Sequence, residues 1–143
     1  MRKGLLRVLQ IRQLLEELAG LELQTRTTEL RQLEIQAEEH RRMAAAIRSE
    51  AMTRDEAAAD FWLAAADAEI LLWKSERIGA VAQRVGEQVA ALGERRMIRR
   101  MERKQAEIIV SNAAQDEAQE RIRREQQRVD DWYQSLPESR RSG

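Results

Sequence analysis

Few residues in this chain could do acid–base, nucleophilic or metal chemistry. There is one histidine, His40, and no cysteine, which removes thiolate nucleophiles, thiolate metal sites and disulfides. His40 falls in line with Ala37, Ala44 and Ile47 at alternating steps of three and four, the spacing of a buried helix seam rather than of a base in a cleft. Ala37 stands where a di-iron bundle would need Glu three residues before the His. Gly79 and Gly86 are followed by no Lys-Ser or Lys-Thr, so no phosphate-binding loop is present. The carboxylate pairs Glu16–Glu17, Glu38–Glu39 and Asp130–Asp131 are direct neighbours. On a helix, neighbours point about 100° apart and do not converge as an acid/base couple. No catalytic residue, cofactor, metal or small-molecule substrate is expected, and the chain reads as a non-enzyme.

One constellation could bind a partner. Arg95, Arg96, Arg99, Arg100, Arg103 and Lys104 place six cations in ten residues, opposed only by Glu102. Arg96, Arg99, Arg100 and Arg103 follow i, i+3, i+4, i+7 spacing and share one helical face. That face suits an acidic protein surface, anionic lipid or nucleic-acid phosphates; it also suits a solvated stripe paired with nearby Glu. No reading motif or stacking platform accompanies it, so nucleic acid is not the expected partner. A protein partner is the preferred reading.

The elements that must position these residues are long helices. Ala, Glu, Leu, Arg and Gln dominate, 35% of residues are charged and only 3% are aromatic, a coiled-coil composition. The first helix is expected over about residues 4–50. Ile11, Leu14, Leu18 and Leu21 step by 3, 4 and 3, which reads as a seam. Leu30, Leu33, Ala37, His40, Ala44, Ile47 and Ala51 form a second set, two positions out of phase. The spacing therefore predicts a drift of the seam between Leu21 and Leu30.

A turn is expected at about 51–54. Thr53 and Glu56 read as a capping box, with Asp55 in the first turn of the second helix. That helix is expected over about 54–135, ended by Pro137, with a short disordered tail at 136–143. Its seam runs from Phe61 and Ala64 through Ser75 to Val89 and Leu92. Beyond Leu92 a second shift of phase is expected, leaving a thin stripe of Met101, Ile108, Gln115, Ile122, Val129 and Leu136. Gly79, Gly86 and Gly93 recur every seven residues. They mark either a face of close helix approach or a bendable segment.

The implied fold class is all-α: a single domain forming a long antiparallel two-helix coiled-coil hairpin, a rod, with a short break or extra helix near 50–60. A helix of some 46 residues is roughly 70 Å long, whereas a globule of this chain length has a radius of gyration of about 15 Å. The C-terminal third is expected to extend past its partner helix. Net charge is zero, but residues 53–94 carry 4 basic and 8 acidic side chains while 95–143 carry 12 and 9. No run of 18 apolar residues exists, and Arg7 and Arg12 interrupt the signal-like N-terminus. A cytoplasmic protein, at most peripherally attached to membrane, is expected.

The two ends carry a resemblance. Residues 5–23, LLRVLQIRQLLEELAGLEL, resemble the opening of the flagellar export protein FliJ family through Leu6, Val8, Leu9, Arg12, Glu16 and Ala19. The segment MERKQAEIIVSNAAQDEAQERIRREQQRVDDWYQS is similar to that family's C-terminal stretch through Lys104, Glu107, Arg124, Glu125, Gln126 and Asp130, with Asp131 where Glu is usual. The likeness covers the whole chain in length and architecture, and its ends in residues.

The resemblance implies a non-enzymatic stalk protein of a flagellar or virulence type III export apparatus. Its paired ends would enter a hexameric export ATPase. Its body would link that ring to the cytoplasmic domain of a membrane export gate, on the inner face of the inner membrane, and it would also meet export chaperones. Leu6, Leu9 and Arg12 beside Arg124, Arg128, Asp131 and Trp132 are the candidate ATPase contact. At the other end Ile47, Met52, Phe61 and Trp62, with Trp73, are the candidate gate contact, or else Phe61 and Trp62 seal the hairpin tip. Arg96, Arg99, Arg100 and Arg103 are the candidate basic partner patch. The reading outside this family is a structural coiled-coil adaptor that homodimerises.

Overall fold

The computed structural model describes residues 2–53 and 57–141. It contains α1 (Arg2–Thr53), α2 (Ala58–Ser135) and a single turn, α3 (Glu138–Arg141). No strand occurs among the described residues. No described residue has a positive φ, so Gly79, Gly86 and Gly93 are ordinary helical residues. The second helix is continuous through all three.

The expected turn at 51–54 is corrected: α1 continues to Thr53. The Thr53 hydroxyl donates to the carbonyls of Ser49 and Glu50 at 3.2 and 3.1 Å. A hydroxyl turned back on the preceding turn closes α1, and the expected capping partner of Thr53, Glu56, lies with Asp55 outside the described residues. The opening of α2 is organised around Ala57, whose carbonyl accepts from the N–H groups of Asp60 and Phe61, and Asp60 supplies the negative charge that suits a first turn. At the far end the Ser135 hydroxyl donates to the Trp132 carbonyl at 2.6 Å, and Pro137 comes two residues later. The expected disordered tail is also corrected, since residues 138–141 form α3 and Arg140 N–H donates to the Pro137 carbonyl at 2.8 Å.

α1 and α2 pack antiparallel as a two-helix hairpin. Their contacts divide into two compact units, 17–98 and 1–16 with 99–143. In a helix pair each residue meets only its lateral neighbours, so contacts stay local along the axis.

In the unit 17–98 the core is made of small residues. Ala19, Ala37, Ala44, Ala68 and Ala82 are buried, with Val85 and Ser75, while Leu30, Leu33, His40 and Ile47 are half-buried beside them. Ala68 is 0% exposed. Such residues let two helices approach to the near end of the usual 8–10 Å interaxial range. Ser75 is 2% exposed and its hydroxyl donates across the pair to the Ala37 carbonyl at 2.9 Å. Arg41 Nε donates to the same hydroxyl at 3.3 Å.

In the unit 1–16 with 99–143 the inner face is largely ionic. Arg12 meets Glu102 at 2.7 Å, and Glu102 also receives Arg99 at 3.3 Å. Arg103 bonds Glu16 across the pair and Glu107 on its own helix at 2.6 Å. Among the described residues only Ala106 is buried there. Arg2 pairs with Glu117 at 3.4 Å, and from Arg121 to Ser135 every residue of α2 is exposed.

These side chains correct both expected shifts of phase. Counting back by 4 and 3 from Leu30, the inward positions are Leu23, Ala19, Glu16, Arg12, Leu9 and Leu5, with Thr27 half-buried where Arg26 swings out. Ile11, Leu14, Leu18 and Leu21 are each more than half exposed. Along α2 the inward positions continue beyond Leu92 as Arg99, Arg103, Ala106, Val110 and Ala113. Met101, Ile108, Ile122 and Val129 are each more than half exposed, and Gln115 is exposed too. The phase never shifts. Charged side chains occupy seam positions, and apolar rows occupy the opposite faces.

Candidate functional site

The basic patch is the first candidate to be resolved. Arg96, Arg99 and Arg103 do share a face, but it is the one turned toward α1. In the unit 17–98, Arg96 lies over Gly20: a Cβ there would stand 3.6 Å from the Arg96 Nε. Arg95 reaches Glu22 at 4.0 Å. In the other unit, Arg99 is held by Glu102. Arg103 is 21% exposed and Glu16 20%, and the hydrogen bonds it donates to Glu16 and then Glu107 raise the guanidinium's pKa above its already high ordinary value. Arg96, Arg100 and Lys104 are exposed, and no ion pair of theirs is seen among the described residues. Arg99 and Arg103 are the half-buried members of the cluster, engaged with Glu102, Glu16 and Glu107.

The candidate ATPase contact is also rearranged. Leu5, Val8 and Arg12 line a shallow groove with Glu102, Gln105, Ala106 and Ile109. Leu9 is half-buried in the seam, and Leu6 is exposed. The first turns of α1 therefore face residues 102–117 of α2, not 124–132. The expected side-by-side arrangement of Leu6, Leu9 and Arg12 with Arg124, Arg128, Asp131 and Trp132 is not formed. The register is set by cross-pairs such as Arg2–Glu117 and Arg12–Glu102. Arg124, Arg128, Asp131 and Trp132 stand on the exposed stretch of α2 instead, with Arg124 bridging to Glu120 at 3.5 Å on its own helix.

At the hairpin tip, Met52, Phe61, Trp62 and Trp73 are exposed while Ile47 is half-buried in the seam. Trp62 is 70% exposed, too open to seal the turn. Phe61 and Trp62 meet edge to face, with ring centroids 6.4 Å apart and planes at 81°. Trp73 lies three turns further on, only about 20° round the helix from Trp62. Arg77 stacks 4.8 Å above the Trp73 ring, a cation–π contact that orients the indole. Trp73 borders a groove with Arg48, Ala66, Glu69, Ile70 and Glu76. The tip thus presents aromatic rings bordered by carboxylates.

His40 is a seam residue, as its spacing suggests. Its Nδ1 is buried with no hydrogen-bond partner among the described residues. No group of three His, Cys, Asp or Glu able to hold a metal occurs among the described residues. No described helix is long and apolar enough to cross a membrane.

Comparison with family models, curated proteins and solved structures finds no match. Function therefore has to be argued from the surfaces themselves.

Sequence reasoning misses three structural participants. Glu16 reads as half of a solvated acidic pair, yet it clasps Arg103. Gly20 makes room for Arg96. Ser75 reads only as a seam position, whereas it links the two helices. The signal for Glu16 and Arg12 is the heptad count itself, carried back unbroken from Leu30.

Proposed function

We propose that this chain is a non-enzymatic coiled-coil stalk of a type III protein export apparatus, flagellar or virulence. It would join a hexameric export ATPase to the cytoplasmic domain of the membrane export gate, and export chaperones would meet it too. The observation that carries this reading is the exposed stretch 121–135 of α2, a single helix bearing Arg124, Arg128, Asp131 and Trp132 beyond the ionic clasp of the hairpin. A helix that holds cations and an indole free of its own partner helix suits insertion into a ring. Complementary charge guides such encounters. Leu6 adds an exposed apolar group on α1, while Leu9 and Arg12 serve the hairpin. Phe61, Trp62, Trp73 and Met52 supply the second contact, for the gate. Exposed aromatic rings with a polar rim are the usual anchors of protein interfaces.

The test is reconstitution with the hexameric export ATPase of the same cell. Titrating in the full chain should raise ATP hydrolysis and promote hexamers. The double charge reversal Arg124→Glu with Arg128→Glu, or Trp132→Ala, should abolish the effect without loss of helicity. If the folded wild-type chain does not associate, or a deletion strain exports and swims normally, the reading is wrong. The reading as an adaptor is favoured by one observation, the outward apolar rows, which a stalk working alone would not need.

A further inference from the structure

The outward row on α2 identifies its own occupant. Met101, Ile108, Gln115, Ile122 and Val129 recur every seven residues. Met101 lies two positions after Arg99 and two before Arg103, about 200° from each, so at Met101 the row faces away from α1, and it winds slowly around α2 toward Val129. All five positions are exposed, within one unit of the molecule. A row of period seven is the signature of a helix meeting another helix.

The surroundings of the row are unusual for this chain. The positions three and four after each row residue are 104/105, 111/112, 118/119, 125/126 and 132/133, and only Lys104 and Glu125 among them are charged. The chain as a whole is 35% charged. Loss of charge from an exposed strip is the mark of an interface core. Most of the remaining flanking positions are Gln, Asn, Ser or Ala, and amides both donate and accept, so the strip does not repel a copy of itself.

The row is also symmetrical about its centre. Ile108 and Ile122 stand seven residues on either side of Gln115, and Met101 and Val129 fourteen. Read backwards, the row matches itself. In an antiparallel pair centred on Gln115, Ile108 comes beside Ile122 of the copy and Met101 beside its Val129. Lys104 then falls within one residue of Glu125 of the copy, and Glu125 within one of its Lys104. The two charges of the strip are each answered. A parallel pair would instead set like charges against each other, which is unfavourable.

We propose that a second copy of this chain covers this row, in an antiparallel two-fold pairing of the two α2 helices about Gln115. Such an interface is isologous and closed, giving a dimer rather than a filament. It does not rest on the stalk reading. It would however cover Val129 and Trp132, so the dimer and a ring contact at Trp132 would exclude each other.

Sedimentation of the full chain over a dilution series from micromolar to near-millimolar tests it. A dimer that dissociates reversibly is expected. Ile108→Glu, on an exposed position outside the stretch proposed to enter the ATPase, and Ile122→Glu, within it, should each raise the dissociation constant roughly thirtyfold or more, with helicity unchanged. Lys104→Glu or Glu125→Lys alone should weaken the dimer, and the two together should restore it, as only antiparallel pairing allows. A monomer at every concentration overturns the proposal. So does a dimer that ignores these four variants but is lost with Leu14→Glu and Leu18→Glu, because the outward row of α1 would then be the interface.

Discussion

The two compact units join their helices by different chemistry. In the unit 17–98 the buried positions of the seam are mostly alanine, with Ser75 and Val85, flanked by half-buried Leu30, Leu33, His40 and Ile47. In the unit formed by 1–16 and 99–143 the seam is arginine and glutamate, half-exposed and hydrogen-bonded. The first is held by contact area and dispersion, which are insensitive to salt and intolerant of bulk. The second is held by charge pairs that water can reach, which stabilise little and yield to salt. The lesson is one of division of labour. A hairpin whose alanine seam is fixed and whose ionic seam opens readily could offer its exposed helix end to a partner while keeping its fold.

Substitutions can break or sharpen this contrast. The largest effect is expected from Ala68→Leu in the alanine seam. Ala68 has no exposed surface, so the added carbons must push the helices apart, at a cost of about 1–3 kcal/mol. Urea denaturation followed by circular dichroism would measure it, and an unchanged midpoint would mean the helices do not approach closely there. Ser75→Ala should come next, at about 1 kcal/mol for the lost hydrogen bond to the Ala37 carbonyl. Arg103→Met should destabilise less in low salt and scarcely at all in high salt. If the loss is independent of salt, charge is not what Arg103 contributes. The double replacement Glu16→Leu with Arg103→Leu should be neutral or stabilising, since apolar pairs of similar volume often replace ion pairs without loss. Trp132→Ala, on the exposed stretch, should leave the denaturation curve unchanged.

The raised pKa of Arg103 bears only on the alkaline side of this seam's stability. A group raised on folding contributes stability that is fully present below its unfolded value. That contribution is lost only as pH rises through the still higher folded value. Its alkaline limit therefore lies above the ordinary arginine range, and Arg103 contributes no pH dependence near neutrality.

Much of the fold is legible in residues. The 3–4 spacing from Leu30 to Ala51 gives the seam of α1, and the run from Ala64 to Leu92 gives that of α2. Pro137 marks the end of α2. The errors share one physical origin. When every seam position is expected to be apolar, Ile11, Leu14, Leu18 and Leu21 draw the first helix out of phase, and Met101 and Ile108 do the same to the second. Seam positions at Arg12, Glu16, Arg99 and Arg103 make sense only when the partner's charges are known to face them. That knowledge requires the register of the hairpin, which a turn placed a few residues off does not supply. The candidate sites fared by the same rule. The tip aromatics stand exposed, whereas Arg99 and Arg103 of the basic patch turn inward and the two ends do not align.

Hydrogen exchange of the full chain at low and high salt tests the contrast most directly. The account predicts that amides of 2–16 and 99–117 exchange faster than those of 19–47 and 64–92, and that salt widens the gap by speeding only the first group. Equal protection throughout, or an equal response to salt in both groups, would contradict it.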